Sequence, residues 1–305
     1  MQRPSRTRNG RGFDVDDPNA LPVVEMVSAG SPIHAGQVHR AWSAMVQTPG
    51  STEPAISVVL KWMPSRVKVA IELGCSLAAM AFKLDVPRGM LVLADVDALA
   101  GLPAAATPLP GGRILCYGSV LRWPETARPR DGDAAVDEFI WQRFCETTTA
   151  APGAAWDELV ANGDRHAGNL VFSDSRYWLI DHDKALAPLA EAVRRMTEQT
   201  TRDEVREYRA KQNQVATQLL QRKPADHGML TQPTKFEARS RALELLANRM
   251  SNWRTGNGVV NDVLVDAETT VRGIISRLPA LGLQLQDRLS RPPSTLSWST
   301  TLTRT

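Results

Sequence analysis

Cysteine is scarce in this chain. Only Cys75, Cys116 and Cys145 occur in 305 residues. They are widely separated and odd in number, which excludes a disulfide framework, and none stands at a metal-ligand spacing. That usage fits a reduced interior. Long apolar runs are also missing. No stretch reaches the ~20 residues that cross a bilayer, and no secretory leader is legible, so a cytoplasmic protein with no membrane partner is expected. Charge of one sign is lacking too. Lys and Arg number 36 against 33 Asp and Glu, a net charge of +3, which is too small to demand a nucleic-acid partner. No segment repeats, and the phosphate-cradling G-x-G-x-x-G is absent.

What is present is a globular composition, with 43% hydrophobic and 23% charged residues, long enough for one large two-lobed domain or two small ones. Residues 1–18 carry Arg3, Arg6, Arg8 and Arg11 among Gly, Ser and Pro, and read as a disordered arm. Residues 290–305 read as a disordered tail. Between them, 19–122 carries strand patterns with one helix and 123–289 carries mainly helical patterns with one hairpin. The Pro- and charge-rich stretch 123–133 marks the boundary.

The most informative stretch runs from Asn162 to Ala185, NGDRHAGNLVFSDSRYWLIDHDKA. Two short apolar runs flank Ser173-Asp174-Ser175-Arg176, the polar punctuation of a hairpin. Pairing Phe172 with Tyr177 sets Asn169 opposite Ile180 and Gly168 opposite Asp181. Asn169 and Asp181 then share one end of the hairpin, about 7–8 Å apart as diagonal neighbours. Both offer hard oxygens suited to Mg²⁺ held with phosphate. Asp164, on the entering loop, is placed to hold a substrate hydroxyl. Phosphoryl transfer asks for this combination of positioning and charge neutralisation. His166 has two readings: it orients Asp164 or touches phosphate, or it is a structural histidine bonding loop carbonyls.

Upstream, Ala55 to Trp62 reads as a strand bearing Lys61, which either is buried and needs a partner for its ammonium or lies at a sheet edge and points to water. Ser65 is a candidate N-cap for a helix with an apolar stripe through Val67, Ala70, Ile71, Gly74 and Leu77. Glu72 flanks that stripe, and a short connection lays it beside Lys61. Gly30 and Ser31 lie in a small-residue turn between two expected strands, which either lets backbone N–H groups meet nucleotide phosphates or is a plain hairpin turn. Ser28 and Ser31 are candidate self-modification sites there. Gly118-Ser119 is the expected crossing to the second half. A short helix is expected over Trp156 to Asn162, with Gly163 as its left-handed cap.

GDRHAGNLVF followed by LIDHDKAL resembles the HipA-like kinases of bacteria and, more distantly, the phosphatidylinositol kinases. The likeness extends through VVLKW, AIELGCSLA, LVLADVDAL and CYGS, over roughly residues 55–190. It implies an α+β, protein-kinase-like two-lobed fold, with a small sheet and one helix in the first lobe and a mainly helical second lobe. It also implies an ATP- and Mg²⁺-dependent enzyme with a protein Ser/Thr acceptor. Catalysis would fall to Asp164, Lys61, Glu72 and His166, nucleotide binding to Lys61, Gly30 and Ser31, and metal binding to Asn169 and Asp181. His182-Asp183 departs from the Phe-Gly that follows the metal-binding Asp in protein kinases. The same residues also suit a small-molecule phosphotransferase, a nucleotide-binding pseudokinase or regulatory protein, or a toxin-like kinase with an antitoxin-like partner.

Overall fold

The β-branched runs bounded by Pro and Gly form strands, and the 3.6-periodic runs form helices. The computed structural model describes residues 20–33, 40–122, 133–195 and 199–290. The expected arm, the 123–132 connection and the tail lie outside these. The order is β1 (Val23–Met26), β2 (Ser31–Ile33), β3 (Ala41–Gln47), β4 (Ile56–Lys61), α1 (Arg66–Ala81), β5 (Gly89–Asp95) and β6 (Arg113–Val120). The helices α2 (Ala134–Cys145) and α3 (Ala150–Leu159) follow, then a hairpin of β7 (Leu170–Ser173) and β8 (Arg176–Leu179). Seven more helices complete the described residues: α4 (Ala190–Arg194), α5 (Gln199–Glu207), α6 (Gln214–Arg222), α7 (Gln232–Glu237), α8 (Ser240–Met250), α9 (Gly258–Arg277) and α10 (Leu281–Ser290). None of the described helices is long and apolar enough to cross a membrane.

The mixed α/β expectation holds, with two additions. First, the sheet closes. Its order is β1-β5-β6-β4-β3-β2, and β1 also pairs with β3, so five strands form a barrel with β2 outside. β1 runs parallel to β5 and antiparallel to β3. Alternate residues fill the barrel: Trp42, Val58, Leu60, Met90, Val92 and Cys116 belong to one buried cluster, as the period of two requires. Leu91 and Tyr117 face the other way, into a second cluster that continues through α1 into the helices. β5 is thus buried on both faces, which explains its unbroken apolar run.

Second, α1 is enclosed on more than one side. It packs on β5 and β6 and also on α8 and α9. A Cβ on Gly74 would come 2.8 Å from Thr270 Cβ and 2.9 Å from the Ala267 carbonyl, so only glycine permits this α1–α9 approach.

Several local expectations are corrected. Gly118-Ser119 lies inside β6, where a Cβ on Gly118 would come 2.6 Å from Val92 Cγ2. Its glycine serves barrel packing, and the crossing lies beyond Val120. α3 begins at Ala150, with Pro152 in its first turn, where the missing N–H costs nothing. The left-handed residue after it is Ala161 (φ 50°), not Gly163. Phe139 is exposed, while Trp141 and Phe144 carry the buried side of α2. The end of α3 is tied down from afar. Arg277 of α9, fully buried, donates to the carbonyls of Leu159 (2.6 Å), Glu158 (3.1 Å), Val205 (2.6 Å) and Tyr208 (2.8 Å). Burial lowers its pKa to about 10. The chain therefore leaves a fixed point a few residues before Asp164.

Candidate active site

The hairpin has the expected register, with Phe172 opposite Tyr177. Its two turn residues, Asp174 and Ser175, both have positive φ (53° and 60°), matching the primed turn that suits the right-handed twist of paired strands. The Ile180 N–H donates to the Asn169 carbonyl at 3.1 Å, so the predicted pairing continues one step past the strands.

Lys61 lies on β4 between β3 and β6, on the face opposite Val58 and Leu60. Its Nζ is 2.9 Å from Asp181 Oδ1 and 3.7 Å from Glu72 Oε1. The other Glu72 oxygen accepts the His182 N–H at 2.6 Å. One turn earlier on α1, Lys68 Nζ sits 2.9 Å from Asp183 Oδ2. β4 and α1 together therefore hold residues 181, 182 and 183. This matters because Asp181 has a left-handed backbone (φ 64°), which costs a non-glycine residue of order 1 kcal/mol. Burial raises the Glu72 carboxyl more than Lys61 lowers it, and its pKa is pushed up to about 7. Burial opposes the charge of Lys61, but Glu72 and Asp181 outweigh it and hold the ammonium above the ordinary lysine value. Burial likewise opposes the Asp181 charge, and Lys61 outweighs it, leaving that carboxyl below the ordinary range.

Arg165 ties the loop that carries Asp164 to the hairpin. Its side chain and that of Asp157 are fully buried, paired through Nε–Oδ2 (3.0 Å) and Nη2–Oδ1 (2.9 Å). Nη1 donates to the Ile180 carbonyl and, at 3.4 Å, to that of Asn169. His182 Nε2 lies 3.0 Å from both Trp156 Nε1 and Arg165 Nη2. Two donors aimed at one ring nitrogen require it to carry the lone pair, so the ring is neutral. Burial and then Arg165 hold its pKa well below the ordinary histidine value.

A cavity of about 370 Å³ opens between the barrel and the hairpin. Val59, Val86, Val120 and Leu179 line an apolar part, and Lys61, Glu72, Asp181 and His182 a polar part. Asp164 and Asn169 are not among the residues that line it. The Asp164 carboxylate meets Lys184 Nζ at 2.7 Å, and its backbone N–H donates to Asn162 Oδ1 at 3.1 Å. Asn169 is buried, with Nδ2 3.4 Å from the Asp164 carbonyl. The His166 side chain is exposed and contacts none of these groups. Gly30 faces elsewhere: its N–H donates to the Ala98 carbonyl at 2.9 Å, and a Cβ would come 2.8 Å from Leu99 Cδ2. Ser31 is exposed at the start of β2, and Ser28 Oγ accepts the Met45 N–H at 2.9 Å. Lys68, Asp157 and Lys184 were not singled out from sequence. Lys68 had a visible signal, one turn from Glu72 on the same helix.

Opposite pH dependences follow from His182 and Glu72. Folded His182 does not take up the proton that the unfolded chain binds below its ordinary value of 6.5, so its contribution is lost as pH falls. Folded Glu72 keeps its proton up to about 7, whereas the ordinary value is 4.5, so its contribution is lost as pH rises through that window. The two therefore act in opposite directions between the ordinary values of 4.5 and 6.5 and offset each other there. Urea titrations of Glu72→Gln across that range are expected to uncover the histidine slope, with stability falling towards acid. A flat profile in this variant would show that His182 is not held neutral.

The fold is similar to that of a proinflammatory kinase of Helicobacter pylori, CtkA, with a TM-score of 0.51 and 11% sequence identity over 87% of this chain and 99% of that one. No protein-family model matches the sequence, and no curated protein is similar to it. The chain thus has a kinase-like fold, with Lys61, Glu72 and Asp181 gathered at one cavity.

Proposed function

We propose that this chain is a HipA-like kinase that moves the γ-phosphate of ATP to a hydroxyl acceptor, with protein Ser or Thr as the first candidate. In this reading the barrel with α1 forms one lobe, the helices form the other, and the nucleotide lies between them. The observation that carries it is the Lys61–Asp181 contact beside Glu72, joining residues 120 positions apart at the polar end of the cavity. The apolar part suits a nucleobase. Lys61, held by two carboxylates, is poised to meet phosphate oxygens.

The oxygens fit a magnesium ion. Glu72, Asp181 and Asp183 offer carboxylate atoms within 4.8 Å of one another, and Asn169 Oδ1 has no donor among the described residues. Asn169 and Asp181 would hold the ion, which when bound neutralises phosphate charge. The chain's own groups do the rest. Asp164 takes the hydroxyl proton, Lys61 draws the phosphates into line, and the Arg165–Asp157 pair keeps the two halves of the site in register.

Mg-ATP is expected to raise the melting temperature of the purified protein, and labelled ATP to mark Ser or Thr residues of a cell lysate. ATP binding without transfer would leave a nucleotide-binding regulator. Transfer to small hydroxyl compounds alone would move the acceptor class. No ATP binding would end the proposal.

A further inference from the structure

We infer that Lys184 positions Asp164 for the acceptor hydroxyl, an assignment that rests on the kinase reading above. Lys184 Nζ lies 2.7 Å from Asp164 Oδ2, and this is the only side-chain contact of that carboxylate among the described residues. Among the described residues Oδ1 has no donor, so one oxygen is held while the other stays open to a proton.

The lysine itself comes from a well-fixed backbone. Lys61, Glu72 and Lys68 hold the three preceding residues, and the Ala185 N–H donates to the His182 carbonyl at 2.9 Å. Lys184 thus carries the placement of the metal-side segment across to the base. Its neighbours are already engaged: Lys61 with Asp181, Lys68 with Asp183, and Arg165 in the interior with Asp157. Lys184 is the exposed member of this set, with 48% of its side chain open, facing an Asp164 side chain at 43%. The first cause that raises its pKa is the hydrogen bond to Asp164.

A pair this open adds little to stability. Its consequence falls on the reaction. The acceptor oxygen bonds to the γ-phosphorus as the bond from phosphorus to the departing ADP oxygen breaks, and the hydroxyl proton passes to Asp164 Oδ1. Without Lys184 the carboxylate swings freely and presents that oxygen only part of the time.

The test compares full-length Lys184→Met and Lys184→Arg with the parent, measuring kcat, the KM for ATP and the melting temperature. Misplacement of this kind costs up to about 10²-fold. Lys184→Met is expected to lower kcat between 10- and 10²-fold by that measure, with KM for ATP and melting temperature unchanged, and Lys184→Arg to recover most of the loss. Combined with Asp164→Ala, Lys184→Met is expected to cause no further loss, because the two act as one unit. An active parent whose Lys184→Met kcat is unaltered overturns the inference and leaves the kinase reading standing. So does a parallel fall of kcat and melting temperature in both variants. A parent that binds ATP and transfers nothing overturns both.

Discussion

Asp164→Ala protein is expected to transfer phosphate about 10²–10⁴-fold more slowly than the parent, the range for loss of a positioned proton acceptor. It should still bind ATP. Asp164 stands outside the cavity that holds Lys61 and Asp181, so the nucleotide keeps its contacts. It should also fold, because the carboxylate is partly open and, among the described residues, touches only Lys184. Asp164→Asn separates shape from charge: it keeps the volume and removes the proton acceptor, so it should be nearly as slow. Single-turnover transfer with the ATP-induced melting shift as the binding control checks both. A variant that transfers at the parent rate would move the base elsewhere on the chain.

Arg165→Met is expected to lose roughly 3–5 kcal/mol, the cost of breaking a buried ion pair and leaving one charge uncompensated. Among the described residues, Asp157 would keep only Asn162 Nδ2, at 3.2 Å, as a side-chain donor. The Ile180 carbonyl and His182 Nε2 would each lose a partner as well. Folded proteins hold only about 5–15 kcal/mol in total, so the single variant sits near the limit of folding. Asp157→Leu combined with Arg165→Met should recover part of the loss, because two apolar groups replace two charges. Urea titrations of the three proteins measure this. A loss under about 1 kcal/mol in the single variant would show that water or another donor reaches Asp157. The double variant should remain slow in transfer even where it is stable, since no guanidinium would then join residue 165 to the carbonyl of Ile180.

The hairpin was the most legible part of the site. Its register rests on local signals, two polar turn residues between short apolar runs, and pairing Phe172 with Tyr177 was enough to bring Asn169 beside Ile180. Lys61 and Glu72 were legible as a pair because an apolar strand with a lone ammonium requires an opposite charge nearby. Gly30 misled, because a small residue in a turn looks the same whether it meets phosphate or a leucine. Gly118 misled in the same way: what required a glycine was Val92 on the neighbouring strand, more than twenty positions away. Lys184 could be seen but not assigned, since nothing in the order of residues says which carboxylate an exposed lysine meets.

The amino-acid order by itself determined the strand that carries Lys61, the helix that carries Glu72, the hairpin register and the chemical kinds of group available, because periodicity and turn chemistry act over a few neighbours. Tertiary structure alone decided that β1 bridges β5 and β3 to close a barrel, that α1 lies against α9, and that the segment from Asp181 to Asp183 is held by Lys61, Glu72 and Lys68. Those outcomes depend on closing long loops and on which buried faces fit, and neither is written in any short stretch of the chain.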